Sequence, residues 1–130
     1  MDNIDINILR CLIKDARMNA SQISNTVNLS VSAVIERMKK LENSGLIRGY
    51  TALIDERMAG YDVQAMISVR LEHPKYNQSF AKQMQEHSCV MECFYITGDF
   101  DYIARVSAGS TEELTGVLND IKEIPGVSLT

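Results

Sequence analysis

Residues 20–50 read ASQISNTVNLSVSAVIERMKKLENSGLIRGY, and the spacing of their apolar side chains decides the fold of the amino-terminal half. Residues three or four apart share one face of a helix. Ile23 and Val27 fit a first short helix, while Val31, Val34, Ile35, Met38 and Leu41 fall on one stripe of a second. Ser32, Ala33, Glu36, Arg37 and Lys40 are then left to face outward. Between the segments lies Asn28-Leu29-Ser30. Asn28 tolerates a left-handed backbone, and Ser30 can accept a hydrogen bond from the first free amides of the next helix, so this turn stops one helix and starts another. Gly45 suits the end of the second helix, because glycine just past the last turn takes the left-handed cap without steric penalty. Two short helices across a tight polar turn make a helix-turn-helix, for which duplex DNA is the first partner to consider.

The charge layout separates this reading from an ordinary solvated surface. The whole chain carries a net charge of −4, yet residues 1–60 hold eight Lys or Arg against seven Asp or Glu, and residues 61–130 hold five against ten. Between Arg37 and Arg48 four basic residues face a single acid, Glu42. An acidic total does not exclude DNA, because the field that matters is the local one within a Debye length of roughly 8–10 Å.

With 130 residues, of which 45% are apolar, the asymmetry favours two small domains, residues 1–60 and 61–130. Small domains bury a lower fraction of their surface, so association into at least a dimer is expected. Cys11, Cys89 and Cys93 are odd in number and sit in apolar runs, which suits a reducing compartment. No apolar run approaches the roughly 20 residues of a membrane span, and the acidic amino terminus lacks a signal peptide's basic start. A cytoplasmic protein is expected.

Working outward, a first helix starts at Asp2 and buries Leu9, Leu12, Ile13 and Ala16. Leu46 to Ile54 is rich in strand formers and reads as a strand leaving the helical unit. Turn chemistry from Asp55 to Asp62, with Gly60, marks the domain boundary. Beyond it the period falls to two, since Val63, Ala65, Ile67, Val69 and Leu71 alternate with Gln64, Met66, Ser68, Arg70 and Glu72. His73-Pro74 breaks that strand. A helix follows from Tyr76 to His87, then strands over Val90–Thr97 and Tyr102–Ala108, joined by Gly98-Asp99-Phe100-Asp101. Ser110 and Glu113 form a capping box for a helix carrying Leu114, Val117, Leu118 and Ile121. Pro125-Gly126 stops it, and Val127 begins another strand. The order strand, helix, strand, strand, helix, strand is the ferredoxin-like βαββαβ arrangement, giving an α+β chain. Helices would cover one sheet face. The other carries Met66, Cys93 or Phe94, and Tyr95 among its alternates, so a sheet-to-sheet dimer is inferred.

DNA recognition should lie on the helix that starts near Ser30. Ser32, Ala33, Glu36 and Arg37 are the expected base readers. Lys39, Lys40 and Arg48 are the expected phosphate contacts, with Arg17 and Gln22 from the preceding segments. Cys89 and Cys93 on an extended strand would lie about 13 Å apart, too far to share a metal ion bound at about 2.3 Å. No G-x-S-x-G, H-E-x-x-H or phosphate loop is present, so neither catalysis nor a cofactor is expected.

Several fragments in order, DNIDINILRCL (2–12), Asp15-Ala16-Arg17, Leu29-Ser30, RMKKLENSG (37–45), Ile47-Arg48-Gly49-Tyr50, GDFDY (98–102) and Pro125-Gly126-Val127, resemble the leucine- and asparagine-responsive (Lrp/AsnC) family of transcription regulators. The resemblance implies a winged or simple helix-turn-helix domain, a ferredoxin-like domain for effector sensing and assembly, and dimers that commonly build octamers. It also implies an amino-acid effector site at Thr97, Gly98, Asp99, Asp101 and Tyr102. Asn28 stands where the family often has glycine, and the chain stops at Thr130, where the family usually continues, so the last strand is read as truncated. The expected partners are therefore a palindromic operator, a small effector and a second copy of the chain. The competing readings are a protein-interaction module and a small-molecule-binding domain without DNA binding.

Overall fold

The computed structural model describes residues 1–130 as two compact units, Met1–Leu53 and Ile54–Thr130. The first is wholly helical: α1 (Asn3–Lys14), α2 (Ala20–Val27) and α3 (Val31–Asn43). Asp2 caps α1 in a reciprocal box with Asp5, and Asn19 caps α2 in another with Gln22. Asn28 closes α2 in the left-handed conformation at φ 56°, and Ser30 caps α3, its hydroxyl accepting from the Ala33 amide at 3.2 Å. Gly45 has φ +81°, and beyond it the Ile47 amide donates back to the Leu41 carbonyl at 3.1 Å. The turn chemistry expected from 28–30 and 45 is all present.

The core of this unit is Ile8, Cys11, Leu12, Ile23, Val34 and Leu41. Three expectations are corrected by it. α1 buries Ile8 and Cys11, whereas Ile13 is 84% exposed and Ala16 lies past the helix end. Ile13 instead lines an open apolar groove with Leu9, Leu12, Leu46 and Tyr50. On α3, Val34 and Leu41 are buried and Met38 partly so, but Val31 and Ile35 remain 42% and 41% exposed. Finally, Leu46–Ile54 forms no strand. A strand needs ladder partners for its amides and carbonyls, and the all-helical first unit offers none. Only Ile47 from this stretch packs against the helical core, and the Tyr50 hydroxyl donates to Glu42 at 2.9 Å.

The second unit has the expected order: β1 (Val63–Leu71), α4 (Asn77–Glu86) after a short 3-10 turn at Pro74–Tyr76, β2 (Val90–Tyr95), β3 (Tyr102–Ala108), α5 (Thr111–Glu123) and β4 (Val127–Leu129). The strands lie in the antiparallel order β2-β3-β1-β4. Alternation on β1 and β3 sends Ile67, Val69, Leu71, Tyr102, Ala104 and Val106 to one face, where Phe80 and Met84 of α4 and Val117 and Ile121 of α5 cover them. The register pairs Cys93 with Ala104 and Phe94 with Ile103, so Phe94 points with Met66 to the other face while Cys93 and Tyr95 belong to the helix side. The α5 box is only half made: Ser110 accepts from the Glu113 amide at 3.1 Å, but the Glu113 carboxylate takes the Gly109 amide instead.

Ahead of β1, Glu56 reaches back to the sheet. Its carboxylate accepts from Arg105 at 2.7 Å, Ser107 at 2.7 Å and Gln64 at 2.6 Å. Arg105 also holds Glu92 at 2.9 Å. The Arg105 guanidinium, then the Ser107 hydroxyl, keep the Glu56 carboxyl below the usual carboxylate range. The turn at Asp55–Gly60 is thereby fastened to the sheet by an acid whose four-bond demand is nearly met within the unit.

Candidate DNA interface and effector loop

The helix-turn-helix presents α3 with a defined outer side. Each residue turns the helix by about 100°, so Ser32, Glu36 and Lys39 lie opposite the packed side of Val34 and Leu41. All three are exposed. Lys40, next to them, makes a loose ion pair with Glu36 at 3.8 Å, with both side chains largely in water, which contributes little. Arg48 and Arg17 are exposed and without ion-pair partners. Gln22 and Ser30 spend their side-chain oxygens on the Asn19 and Ala33 amides, so their first task is to cap helices. Ala33 is partly buried.

Arg37 is placed differently from the outward position read for it. It follows Val34 by three residues, about 300° of turn, which leaves it roughly 60° from the packed side. Its Nη1 donates to Asp2 Oδ1 and Oδ2 at 2.8 and 2.7 Å and to Asp5 Oδ1 at 3.1 Å. The side chain is 30% exposed. The same two carboxylates form the α1 capping box, so one guanidinium ties the start of α1 to the middle of α3. That bond to Arg37, and next the Asp5 amide, hold the Asp2 carboxyl below its ordinary range. The two acids in turn raise the Arg37 guanidinium.

In the second unit, Thr97, Gly98, Asp99 and Asp101 share the β2–β3 turn. Gly98 has φ +115°, which an L side chain rarely adopts. Asp101 is bound into the sheet three ways. Its amide donates to the Val69 carbonyl at 2.9 Å, its carbonyl accepts from Ile96 at 2.8 Å, and its Oδ2 accepts from the Leu71 amide at 2.7 Å. Tyr102 does not join the loop residues. It is 7% exposed on the helix side, its ring 4.8 Å from Phe80 and 5.1 Å from Tyr95. Burial there raises its hydroxyl above the ordinary tyrosine value.

Arg70 was not singled out by the sequence reading. Its Nε donates to the Asp99 carbonyl at 2.6 Å and its guanidinium carbon sits 5.4 Å from the Phe100 ring centre. Strand alternation put Arg70 on the exposed face, but only the β1–β3 register brings it to the loop. Neither a group of three or more metal-ligating side chains nor a helix long and apolar enough to cross a membrane is present.

Comparison with known proteins agrees with this division. Residues 1–48 match the family model described as winged helix-turn-helix DNA-binding, and residues 64–130 match the Lrp/AsnC ligand binding domain. The HTH-type transcriptional regulator FL11 of Pyrococcus abyssi is 35% identical over 130 residues, covering 100% of this chain and 85% of its own length. The leucine-responsive regulatory protein of Escherichia coli is 31% identical over 133 residues, covering 100% and 81%. The solved complex of the transcriptional regulator NMB0573 with L-Met, from Neisseria meningitidis, superposes with a TM-score of 0.90 at 29% identity, over 99% of this chain and 85% of that one. The chain therefore belongs to the Lrp/AsnC family and is a transcription regulator rather than an enzyme, with a DNA-binding helix-turn-helix followed by a ligand-binding domain.

Proposed function

We propose that the chain acts in the cytoplasm as a homodimer that places two copies of α3 in successive major grooves of a palindromic operator, and that an amino acid at the β2–β3 turn modulates this binding. The observation that carries the DNA reading is the outer side of α3, where Ser32, Glu36, Lys39 and Lys40 are exposed opposite a packed core. Ser32 and Glu36 are suited to base edges. Lys39, Lys40 and Arg48 are suited to phosphates, and so is the exposed Arg17 between α1 and α2. Dimerisation is supported by the uncovered sheet face, on which Met66 and Phe94 stay more than half exposed.

The test is selection of bound sequences from random duplexes, followed by titration of the selected site at increasing salt. We expect inverted half-sites about 34 Å apart, or a multiple of it, and affinity that falls steeply with salt. Binding to a protein partner that is indifferent to salt, with no duplex retained, would favour the interaction-module reading. Light scattering on the same samples reads the dimer and any assembly toward the octamer that the family resemblance implies.

The effector reading gains from the neighbour solved with L-Met. The Asp99 carboxylate and the second carboxylate oxygen of Asp101 are free to meet an ammonium group, and the turn amides and the remaining donors of Arg70 suit a carboxylate. Asp101→Asn is expected to abolish the rise in Tm produced by the bound amino acid. Asparagine can still accept from the Leu71 amide, so the unliganded Tm should change little. A full ligand-induced shift in this variant would remove Asp101 from the site.

A further inference from the structure

We propose that Ile35, with Val31 beside it, reads thymine methyl groups in the major groove, which makes an exposed apolar pair on α3 a determinant of operator sequence. This rests on the reading that α3 enters the groove. Apolar periodicity assigned both residues to the core stripe, but the fold leaves them 42% and 41% exposed while Val34, between them in sequence, is fully buried.

Their position gives the exposure a direction. Val31, Ile35 and Lys39 are spaced four apart, and each step of four advances about 40° around the helix. The row therefore runs from the edge of the packed stripe at Val31, through Ile35, to the outer side at Lys39. Val31 opens the helix and Ile35 lies one turn on, in the amino-terminal half that reaches base edges in helix-turn-helix proteins. Ser32 stands between them, its hydroxyl 3.3 Å from that of Ser30. Ser32, Glu36 and Lys39 border the pair on its outer side and the packed stripe of Val34 and Met38 bounds the other, so the exposed apolar strip is narrow, too small for an ordinary protein-docking surface.

Among base edges in the major groove, only thymine presents a methyl group. Branched aliphatic side chains on a helix are stiff, so the Ile35 methyls are held in place before DNA arrives and lose little freedom on contact. A glutamate or lysine at the same place would have to leave water with nothing on the methyl to bond. Ile35 thus favours A·T pairs at the positions it covers, while Ser32 and Glu36 address the polar edges beside them.

The experiment uses the full chain and the duplex selected above, with each thymine replaced in turn by deoxyuridine, which removes only the methyl. At one or two positions per half-site the replacement should weaken wild-type binding about fourfold, the effect of burying one methyl group. At those positions Ile35→Ala and Ile35→Ser should bind the thymine and deoxyuridine duplexes equally. Val31→Ala should reduce the difference in part. If no position responds to deoxyuridine, or if the response is as large in Ile35→Ala as in the wild type, the assignment is overturned. Guanine N7 methylation of the same duplex tests the parent reading separately, because unimpaired binding would mean that α3 does not occupy the major groove at all.

Discussion

Gly126→Ala is expected to destabilise the carboxy-terminal unit by about 2–4 kcal/mol, combining a strained left-handed residue with an overpacked contact. Gly126 has φ +94°, and a Cβ built there would collide with the Tyr76 ring at its Cγ, Cδ2 and Cβ. The ring cannot step aside cheaply, because Tyr76 packs against the core beneath α4 and ends the Pro74 turn. Gly126 also accepts from the Glu72 amide at 2.7 Å, so a shift there pulls on the short β1–β4 pairing of Leu71 with Val127. Urea unfolding followed by circular dichroism measures the loss. Adding Tyr76→Ala removes the two ring contacts and leaves the Cβ contact and the backbone strain, so the double variant should lose less than the sum of the two single ones. Strict additivity would mean that the ring and the glycine do not meet.

Arg37→Gln is expected to weaken operator binding several-fold without changing its salt dependence, and Asp2→Asn with Asp5→Asn should do the same. The guanidinium is engaged by the α1 capping box, so its loss frees α1 from α3 and lets the reading helix tilt. A cation that touched a phosphate would behave differently, since removing it lowers the slope of log K against log salt by about 0.9. The aspartates give the sharper contrast. If they merely shielded Arg37 from DNA, neutralising them would tighten binding. Lys14 provides the comparison, being exposed on the last turn of α1 with no ion-pair partner, and Lys14→Ala should cost less than Arg37→Ala. Equal losses from those two would defeat the clamp. The pH dependence follows from the lowered Asp2 carboxyl: the clamp is complete at neutral pH and is lost as pH falls through that lowered folded-state value.

The parts of this architecture that depend on neighbours in sequence are legible in the sequence itself. Asn28, Ser30 and Gly45 determine local backbone, and they do so here at the expected places. The alternation of Val63–Leu71 set the inward face of β1, and the order of elements gave the ferredoxin-like sheet. What could not be read were pairings across 30 or more residues. Arg37 has the same local pattern as an outward-facing base reader, and only the approach of Asp2 and Asp5 distinguishes it. Glu56 looked like turn filler, although it gathers Arg105 and Ser107 from a strand far along the chain. Leu46–Ile54 has strand composition, but composition does not supply a ladder partner. Tyr102 shares a motif with Asp101, yet strand alternation sends the two to opposite sides.

The three bonds that fix Asp101 have a further meaning. Two of them knit the hairpin tip to β1, one through main-chain atoms and one through the Asp101 carboxylate, and the third closes the hairpin on Ile96, so the proposed cradle is already built without a guest. On the proposed effector reading, a small molecule seated there would give up its own freedom but ask for little ordering from its host, and selectivity among similar guests would then follow from shape and charge. On that same reading, a tip held by these bonds would signal through altered contact with whatever lies against it rather than by its own movement.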